Sequence, residues 1–347
     1  MSDSLFRRRP PDDMDVNRPA VGITPAPRPE TVLSKELAAE QSINEKWSSL
    51  GGAPGNRKIP GLDGLVAIGE GYFCEYDLGR IYLSNLTATP YHVYGAIGDR
   101  YTELGGPSSW LGWPTSDEQP FTEDGRVSTF QNGAIYWWLD TGAIELGNVA
   151  VRYKGLYCLE ETDDQMWSLS TADEPYVIIA VVPSITAQTS TLRTRIYENV
   201  DAGDSREDNI ELYRGLPYGL SLTAVAMEHD LVDPDMYLEL IKQGADKAAE
   251  GVAYALGEVP LFGPVLAVVS EPVLKALAPV VAEEFNDLID GKDDHIGTVK
   301  FQVSAKDMVR STRTAQKDLK GISWHLDSPE IRGDGGRYKI YVDVIAV

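Results

Sequence analysis

The chain has 347 residues, enough for two ordinary domains, and 43% of them are hydrophobic, a proportion typical of globular proteins. The formal net charge of −22 at pH 7 argues against nucleic acid as a partner, because such binding depends on neutralising phosphates with Lys and Arg. The only cysteines are Cys74 and Cys158, so we expect no disulfide framework but two buried thiols in different domains.

The N-terminal segment, residues 1–38, is rich in proline and charged residues, which predicts a disordered tail. It carries Arg7-Arg-Arg9 with no apolar core after it, so we expect no conventional signal peptide. No run of apolar residues is long enough for a simple membrane-spanning helix. We therefore expect any export to follow another route.

From Ile43 onwards the chain repeats itself. Gly79-Arg-Ile-Tyr82 recurs as Gly133-Ala-Ile-Tyr136, 54 residues later, and this period indicates one structural unit used twice. The pattern of each unit predicts a short helix that ends at a Gly-Gly pair. Two short strands are expected after it. In the second unit we expect these strands at residues 127–130 and 133–138, joined by an Asn132-Gly133 turn.

The second unit contains Leu111-Gly112-Trp113-Pro114 and resembles the LGFP repeat, which is found in envelope-associated and wall-acting proteins of actinobacteria and their phages. Trp113 stands where the family name has Phe, and the first unit has Lys58-Ile59-Pro60 at that place. The resemblance covers residues 43–147, within a predicted domain at 39–148. It implies a module that attaches to cell-wall glycan or peptidoglycan.

Five aromatic residues of the second unit are candidate glycan-binding residues, since sugar rings stack on flat aromatic faces: Trp110, Trp113, Tyr136, Trp137 and Trp138. The alternative is that these rings fill the core of a short repeat. Because side chains alternate along a strand, we expect Tyr136 and Trp138 to face one side of the sheet and Trp137 the other.

The region 152–347 contains longer strands and two acidic strand ends. One strand ends in Glu228-His-Asp230, where alternation places both carboxylates on the same side. Asp293-Asp294 precedes a second strand about 60 residues later. Four acids at the mouths of two strands repel one another unless a hard cation lies among them, and Ca²⁺ with its six to eight oxygen ligands suits such loops.

This arrangement resembles the calcium/phospholipid-binding domain of the protein-kinase-C type, the C-two domain. A second stretch, Asp163-Asp164 followed by Asp173-Glu-Pro-Tyr176, resembles the first calcium loop of that family, although Glu174 is inserted before the proline. The resemblance implies an antiparallel β-sandwich, a phospholipid membrane as a further partner, and six calcium ligands: Asp163, Asp173, Glu228, Asp230, Asp293 and Asp294.

Residues 231–290 interrupt the C-two-like pattern and predict a helical hairpin. Asp233-Pro234 is a favourable helix start, with Asp as the N-cap and Pro at the first helical position. Two interpretations are open. The hairpin packs on the sandwich or on a second copy of the chain, which would make a homo-oligomer, or it enters a membrane once the protein is anchored.

The sequence therefore predicts a multidomain, mainly β protein with some α structure: a small α/β repeat module, then a β-sandwich with an inserted helical hairpin. We expect a non-enzymatic attachment protein, since no nucleophile or metalloprotease motif is present. It would act outside the cell or in the envelope, with a cytoplasmic location left open. The alternatives are a secreted effector that acts on membranes through the hairpin, and an assembly subunit.

Overall fold

The computed structural model describes residues 30–162, 173–185, 189–229 and 295–347, together with 234–246 apart from 236, 240 and 244. Within these ranges the chain is mainly β, and its strand pairs are antiparallel. The predicted mainly β character is confirmed. The β-sandwich with an inserted hairpin stays a prediction.

Each repeat unit is one helix followed by a four-stranded sheet whose strands lie in chain order. The first unit contains α1 (Glu30–Ser49), β1 (Val66–Ile68), β2 (Gly71–Tyr76), β3 (Gly79–Ser84) and β4 (Pro90–Val93). The second contains α2 (Gly95–Glu103), β5 (Gln119–Pro120), β6 (Arg126–Phe130), β7 (Gly133–Trp138) and β8 (Gly142–Leu146). The central hairpins close alike, since Tyr76 pairs with Gly79 and Phe130 with Gly133. The predicted repeat is confirmed.

The first helix starts earlier than the sequence predicts. α1 begins at Glu30, inside the segment 1–38 that its composition assigned to the tail. The run of prolines ends at Pro29, so backbone N–H groups become available for helical hydrogen bonds from there on. A glutamate in the first turn also complements the positive end of the helix dipole. The remainder of the predicted tail, residues 1–29, lies outside the described residues.

The second helix ends at glycine, as expected. α2 ends at Glu103, and Gly105 follows with a φ of +103°. Glycine adopts this left-handed conformation without the steric cost that a Cβ atom imposes. The chain therefore leaves the helix within two residues and turns towards the Leu111-Gly-Trp-Pro114 motif.

The helices and sheets of the two repeats lie in alternating layers. Tyr101 of α2 contacts Tyr82 of the first sheet, with ring centroids 5.3 Å apart, and Phe130 of the second sheet at 4.4 Å. α1 covers the opposite face of the first sheet, where Ile43 and Ile81 belong to one buried cluster. α2 is therefore enclosed between two sheets, whereas α1 has a sheet on one side.

The C-terminal region forms two further antiparallel sheets. One has the order β11-β10-β13-β14, with β10 at Tyr176–Pro183, β11 at Ser190–Arg193, β13 at Leu220–Met227 and β14 at His295–Val303. The other has the order β12-β9-β19-β17, with β9 at Val149–Glu160, β12 at Ser205–Gly215, β17 at Leu326–Asp327 and β19 at Gly336–Ala346. β18 (Ile331–Gly333) pairs with β19, and β15 (Lys317–Leu319) pairs with β16 (Ile322–Trp324). A short helix, α3 (Ala305–Ser311), follows β14.

One hydrophobic core runs through both C-terminal sheets and into the second repeat. Ile179 and Leu222 of one sheet, Val151 of the other and Tyr136 and Trp138 of β7 belong to a single buried cluster. Only two residues separate β8 from β9. The predicted boundary between the domains at 39–148 and 152–347 is therefore crossed by a continuous core. Periodicity in the sequence shows which residues face inwards, but it does not show which element they meet.

Both cysteines are free and buried, as predicted. Cys74 lies in the cluster beneath α1, and Cys158 lies in the large C-terminal core. Burial raises the pKa of the Cys74 thiol to about 12, because a thiolate loses its hydration there. Cys74 is therefore protonated at neutral pH.

The predicted insertion comprises residues 231–290. Its described part is helical and packs on a sheet. Every described residue between 234 and 246 is helical. Tyr237, Ile241 and Ala245, which are four residues apart and so share one face, belong to a buried cluster with residues of β10 and β13. These contacts favour packing for this part of the insertion. The predicted second helix lies outside the described residues.

Candidate functional site

Two of the five candidate glycan-binding rings lie inside the core. Tyr136 is 0% and Trp138 1% exposed, and Trp138 Nε1 donates a hydrogen bond to the carbonyl oxygen of Thr122 at 2.9 Å. Trp137 is half-buried and packs against the cluster on the α2 side of the sheet. The alternation along β7 is therefore as predicted, but neighbouring elements cover both faces.

The third ring, Trp113, joins the two repeats. It is 5% exposed, and its backbone N–H donates to the side-chain oxygen of Gln131 at 3.0 Å. The hydroxyl of Tyr101 on α2 donates to the carbonyl oxygen of Gly112 at 2.7 Å. The Leu-Gly-Trp-Pro motif is thus held by its own helix and hairpin, and its tryptophan packs between the sheets.

Trp110 is the candidate ring with a large exposed face. Its exposure is 49%. The ring lies over Gly133, where an added Cβ would be 2.9 Å from Cη2 of the indole. The Asn132 side-chain amide donates to the carbonyl oxygen of Trp110 at 2.9 Å. Asn132 and Gly133 form the β6–β7 turn region and contact the tryptophan, which stays about half exposed.

Trp110 lines a cleft of about 730 Å³ between the second repeat and the C-terminal region. This volume is in the range of sites for small ligands. Its walls include the β6–β7 turn, β8, the loop before β13, the segment after α3 and the end of β19. The lining residues include Trp110, Asn132, Glu145, Leu216, Tyr218 and Arg313. The cleft exists only because the repeat and the C-terminal sheets pack together.

An ion-pair network closes one wall of this cleft. Glu145, 9% exposed, accepts hydrogen bonds from Nε and Nη2 of Arg100 at 2.7 and 3.0 Å and from Nη2 of Arg313 at 2.8 Å. Burial acts to raise the pKa of Glu145, but hydrogen bonds from Arg100 and from the backbone, together with the charges of Arg100 and Arg313, outweigh it, and the pKa lies below its ordinary value of 4.5. The carboxylate is therefore ionised at neutral pH.

The proposed calcium ligands are only partly within the described residues. Asp163, Asp230, Asp293 and Asp294 lie outside them. Asp173, 3% exposed, accepts bonds from the backbone N–H and the hydroxyl of Thr162 at 2.9 and 2.7 Å and from the hydroxyl of Tyr338. Its carboxylate therefore stabilises the fold through these hydrogen bonds.

Glu228 lies near the same end of the sheet and accepts a hydrogen bond from the backbone N–H of Glu174 at 2.6 Å. Among the described residues, no group of three or more His, Cys, Asp or Glu side chains is arranged to hold a metal ion. Asp173 and Glu228 by themselves do not form a calcium site. The calcium site stays a prediction that depends on the other four acids.

Sequence reasoning did not find Glu145 or Arg313. The two residues are 168 positions apart, and neither lies in a recognisable motif. An isolated arginine in an acidic chain carries no pattern that would single it out. Packing of the C-terminal region against the second repeat brings Arg313 and Trp110 into the walls of one cleft.

Comparison with protein families supports the repeat assignment. The LGFP repeat family matches residues 63–109 and 111–156. The chain contains two LGFP repeats. LGFP repeats are bacterial and are often associated with the cell envelope. The matches begin at residue 63 instead of 43 and end at 156 instead of 147, eight residues into β9, where the continuous core also crosses the predicted boundary.

No family match covers the rest of the C-terminal region, so the C-two-like assignment has no support from this comparison. No curated protein matched the chain. In the described part of the chain, no helix has both the length and the apolar character needed to cross a membrane.

Proposed function

We propose that this protein is a non-enzymatic attachment protein of the bacterial cell envelope that binds cell-wall glycan in the Trp110 cleft. The observation that carries the proposal is the half-exposed indole of Trp110 at the edge of a cleft of about 730 Å³. A flat aromatic ring held in place from behind offers a surface on which a sugar ring can stack. The presence of two LGFP repeats supports the envelope location.

The roles of the five predicted aromatic residues differ in this proposal. Trp110 contacts the glycan. Trp113, Tyr136 and Trp138 support the fold, because their rings are buried. Trp137 is half-buried on the α2 side of the second sheet and is not among the residues that line the cleft. Peptidoglycan and other wall glycans remain equal candidates for the ligand.

Packing of the 234–246 segment favours attachment over membrane action. An effector that used this segment on membranes would first have to remove Tyr237 and Ile241 from the apolar cluster on β10 and β13. An ion pair between Arg193 and Asp235 at 2.9 Å also joins the segment to β11. We retain calcium binding at the C-terminal acids as a separate proposal from the sequence.

Sedimentation with purified bacterial cell wall tests the function. The full chain should pellet with the wall, and Trp110→Ala should reduce the pelleted fraction by about tenfold, as expected for the loss of an aromatic residue that supplies much of the binding energy. Trp47→Ala is the matched control, since Trp47 is 36% exposed but lies in the first repeat away from the cleft. Equal wall binding by wild type and Trp110→Ala would contradict the proposal.

A further inference from the structure

Among the described residues that line the cleft, one charged side chain is largely accessible. Of the lining residues, only Glu145 and Arg313 have ionisable side chains that are charged at neutral pH. The Glu145 side chain is 10% exposed, whereas that of Arg313 is 50% exposed. A ligand that enters the cleft therefore meets the guanidinium of Arg313 before it meets the carboxylate.

The charge of Glu145 is already compensated from within the protein. Arg100 approaches it with two N–H groups, and Arg313 approaches with one. Each arginine–carboxylate contact of this kind is a charge-assisted hydrogen bond. The carboxylate consequently has little capacity left to repel an anion or to attract a cation in the cleft.

Arg313 has donors left for a ligand. Its Nη2 donates both to the side chain of Glu145 and to the backbone carbonyl oxygen of Glu145 at 3.2 Å. Its Nε and Nη1 donate to no residue in the described part of the chain. The backbone of Arg313 is fixed, because its N–H donates to the carbonyl oxygen of Arg310 at 3.0 Å. Each of these free N–H groups can donate a charge-assisted hydrogen bond to an oxygen of a carboxylate or phosphate.

We propose that the cleft selects an acidic saccharide, with Trp110 stacking on a sugar ring and Arg313 binding the carboxylate or phosphate group of the ligand. This inference rests on the proposed glycan binding and adds the class of glycan. The chain as a whole has a net charge of −22, which disfavours the approach of an anion. An acidic ligand therefore requires a local cationic contact, and Arg313 supplies it inside the cleft.

The test compares an acidic saccharide with its neutral ester and with a phosphorylated saccharide. Binding of trigalacturonic acid, its fully methyl-esterified form and a phosphorylated neutral trisaccharide to the full chain is measured by isothermal titration calorimetry. We expect the acid to bind about tenfold more tightly than the ester, the effect of one charge-assisted hydrogen bond. The phosphorylated sugar distinguishes a phosphate-selective from a carboxylate-selective site.

Variants assign the preference to Arg313. Arg313→Gln should bind acid and ester equally, and Arg313→Lys, which keeps the charge but lacks the several N–H donors of the guanidinium, should retain part of the preference. Arg214→Gln is the matched control, since the Arg214 side chain is also 50% exposed and also pairs with a glutamate, but it lies outside the cleft. It should retain the full preference. Near-ultraviolet circular dichroism checks that each variant is folded.

Three results would overturn the inference. Wild-type protein that binds the ester as tightly as both acidic ligands, or that binds none of the three, has no anion-selective site. A preference that survives in folded Arg313→Gln would also exclude Arg313 as its source. Each of these results leaves the wall sedimentation result intact, whereas failure of wild-type protein to pellet with the wall would refute the proposed function itself.

Discussion

Trp113 of the second repeat lies directly against Gly71 of the first. A Cβ added at Gly71 would be 2.6 Å from Cη2 of the indole and would also collide with the backbone carbonyl oxygen of Leu83. The motif tryptophan therefore packs on the one residue type that leaves room for it. Through this contact the Leu-Gly-Trp-Pro motif of the second repeat packs directly on the first repeat.

Gly71→Ala should consequently destabilise the protein. Overpacking of a close contact typically costs about 1–3 kcal/mol, and here one of the colliding atoms belongs to the backbone, which cannot move aside freely. Equilibrium unfolding in urea measures the loss. Gly147→Ala is the control, since an added Cβ there has only an ordinary contact at 3.7 Å. Equal midpoints for the two variants would show that Trp113 is not tightly packed on Gly71.

The tryptophans of the second repeat should separate into stability and binding residues. Trp113→Ala should lower the free energy of unfolding by about 3–5 kcal/mol, the usual cost of removing a buried large aromatic side chain. Trp110→Ala should cost less than about 1 kcal/mol, because substitutions at exposed positions have small effects. Urea unfolding of both variants checks the contrast. A large loss of stability in Trp110→Ala would make its binding defect uninterpretable as a site effect.

The Glu145 network should make stability depend on acidic pH. The pKa of Glu145 in the folded protein is below its ordinary value of 4.5, so the unfolded chain takes up the proton first as the pH falls. The stabilisation is complete above about 4.5 and is lost as the pH falls through the folded-state pKa. Glu145→Gln should therefore be less stable at pH 7 and show a weaker loss between pH 5 and about 3. Urea midpoints across this range measure the slope, and an unchanged slope would contradict the prediction.

Calcium should raise the thermal midpoint if the four acids outside the described residues complete a site. Binding to the folded state alone adds about 2.7 kcal/mol at a hundredfold excess over Kd. Asp230→Asn should remove most of the shift. Asp173→Asn should instead lower the midpoint with or without calcium, because Asp173 accepts bonds from Thr162 and Tyr338. No heat and no shift at about 5–10 mM calcium would exclude the site.

The helical segment 234–246 should contribute to the fold. Ile241 is 0% exposed, so Ile241→Ala should lower the free energy of unfolding by about 2–5 kcal/mol. Lys242→Ala, at an exposed neighbouring position, is the control and should have little effect. Chemical denaturation compares them. If Ile241→Ala is as stable as the control, the segment is only loosely attached to the sheet, and the membrane-acting alternative regains support.

The sequence by itself was sufficient for the repeats. The period of 54 residues indicates one unit used twice. The glycine pairs and the Asn132-Gly133 turn are local signals, and such signals determine where helices and strands begin and end. Alternation along β7 likewise predicted correctly that Trp137 faces away from Tyr136 and Trp138. The start of α1 was less well predicted, because composition changes gradually at the end of a proline-rich segment.

Only the tertiary structure determined which element packs on each face of a strand. Tyr136 and Trp138 could have faced a glycan or a core, and the C-terminal sheets that cover them are formed largely by strands beyond the repeat. The cleft has the same origin, since Trp110 and Arg313 are 203 positions apart and only the packing of α3 and β19 against the second repeat brings them to one site. Periodicity records that a side chain is apolar or polar at a given spacing. It holds no information on the identity of a distant partner, which depends on how whole sheets pack.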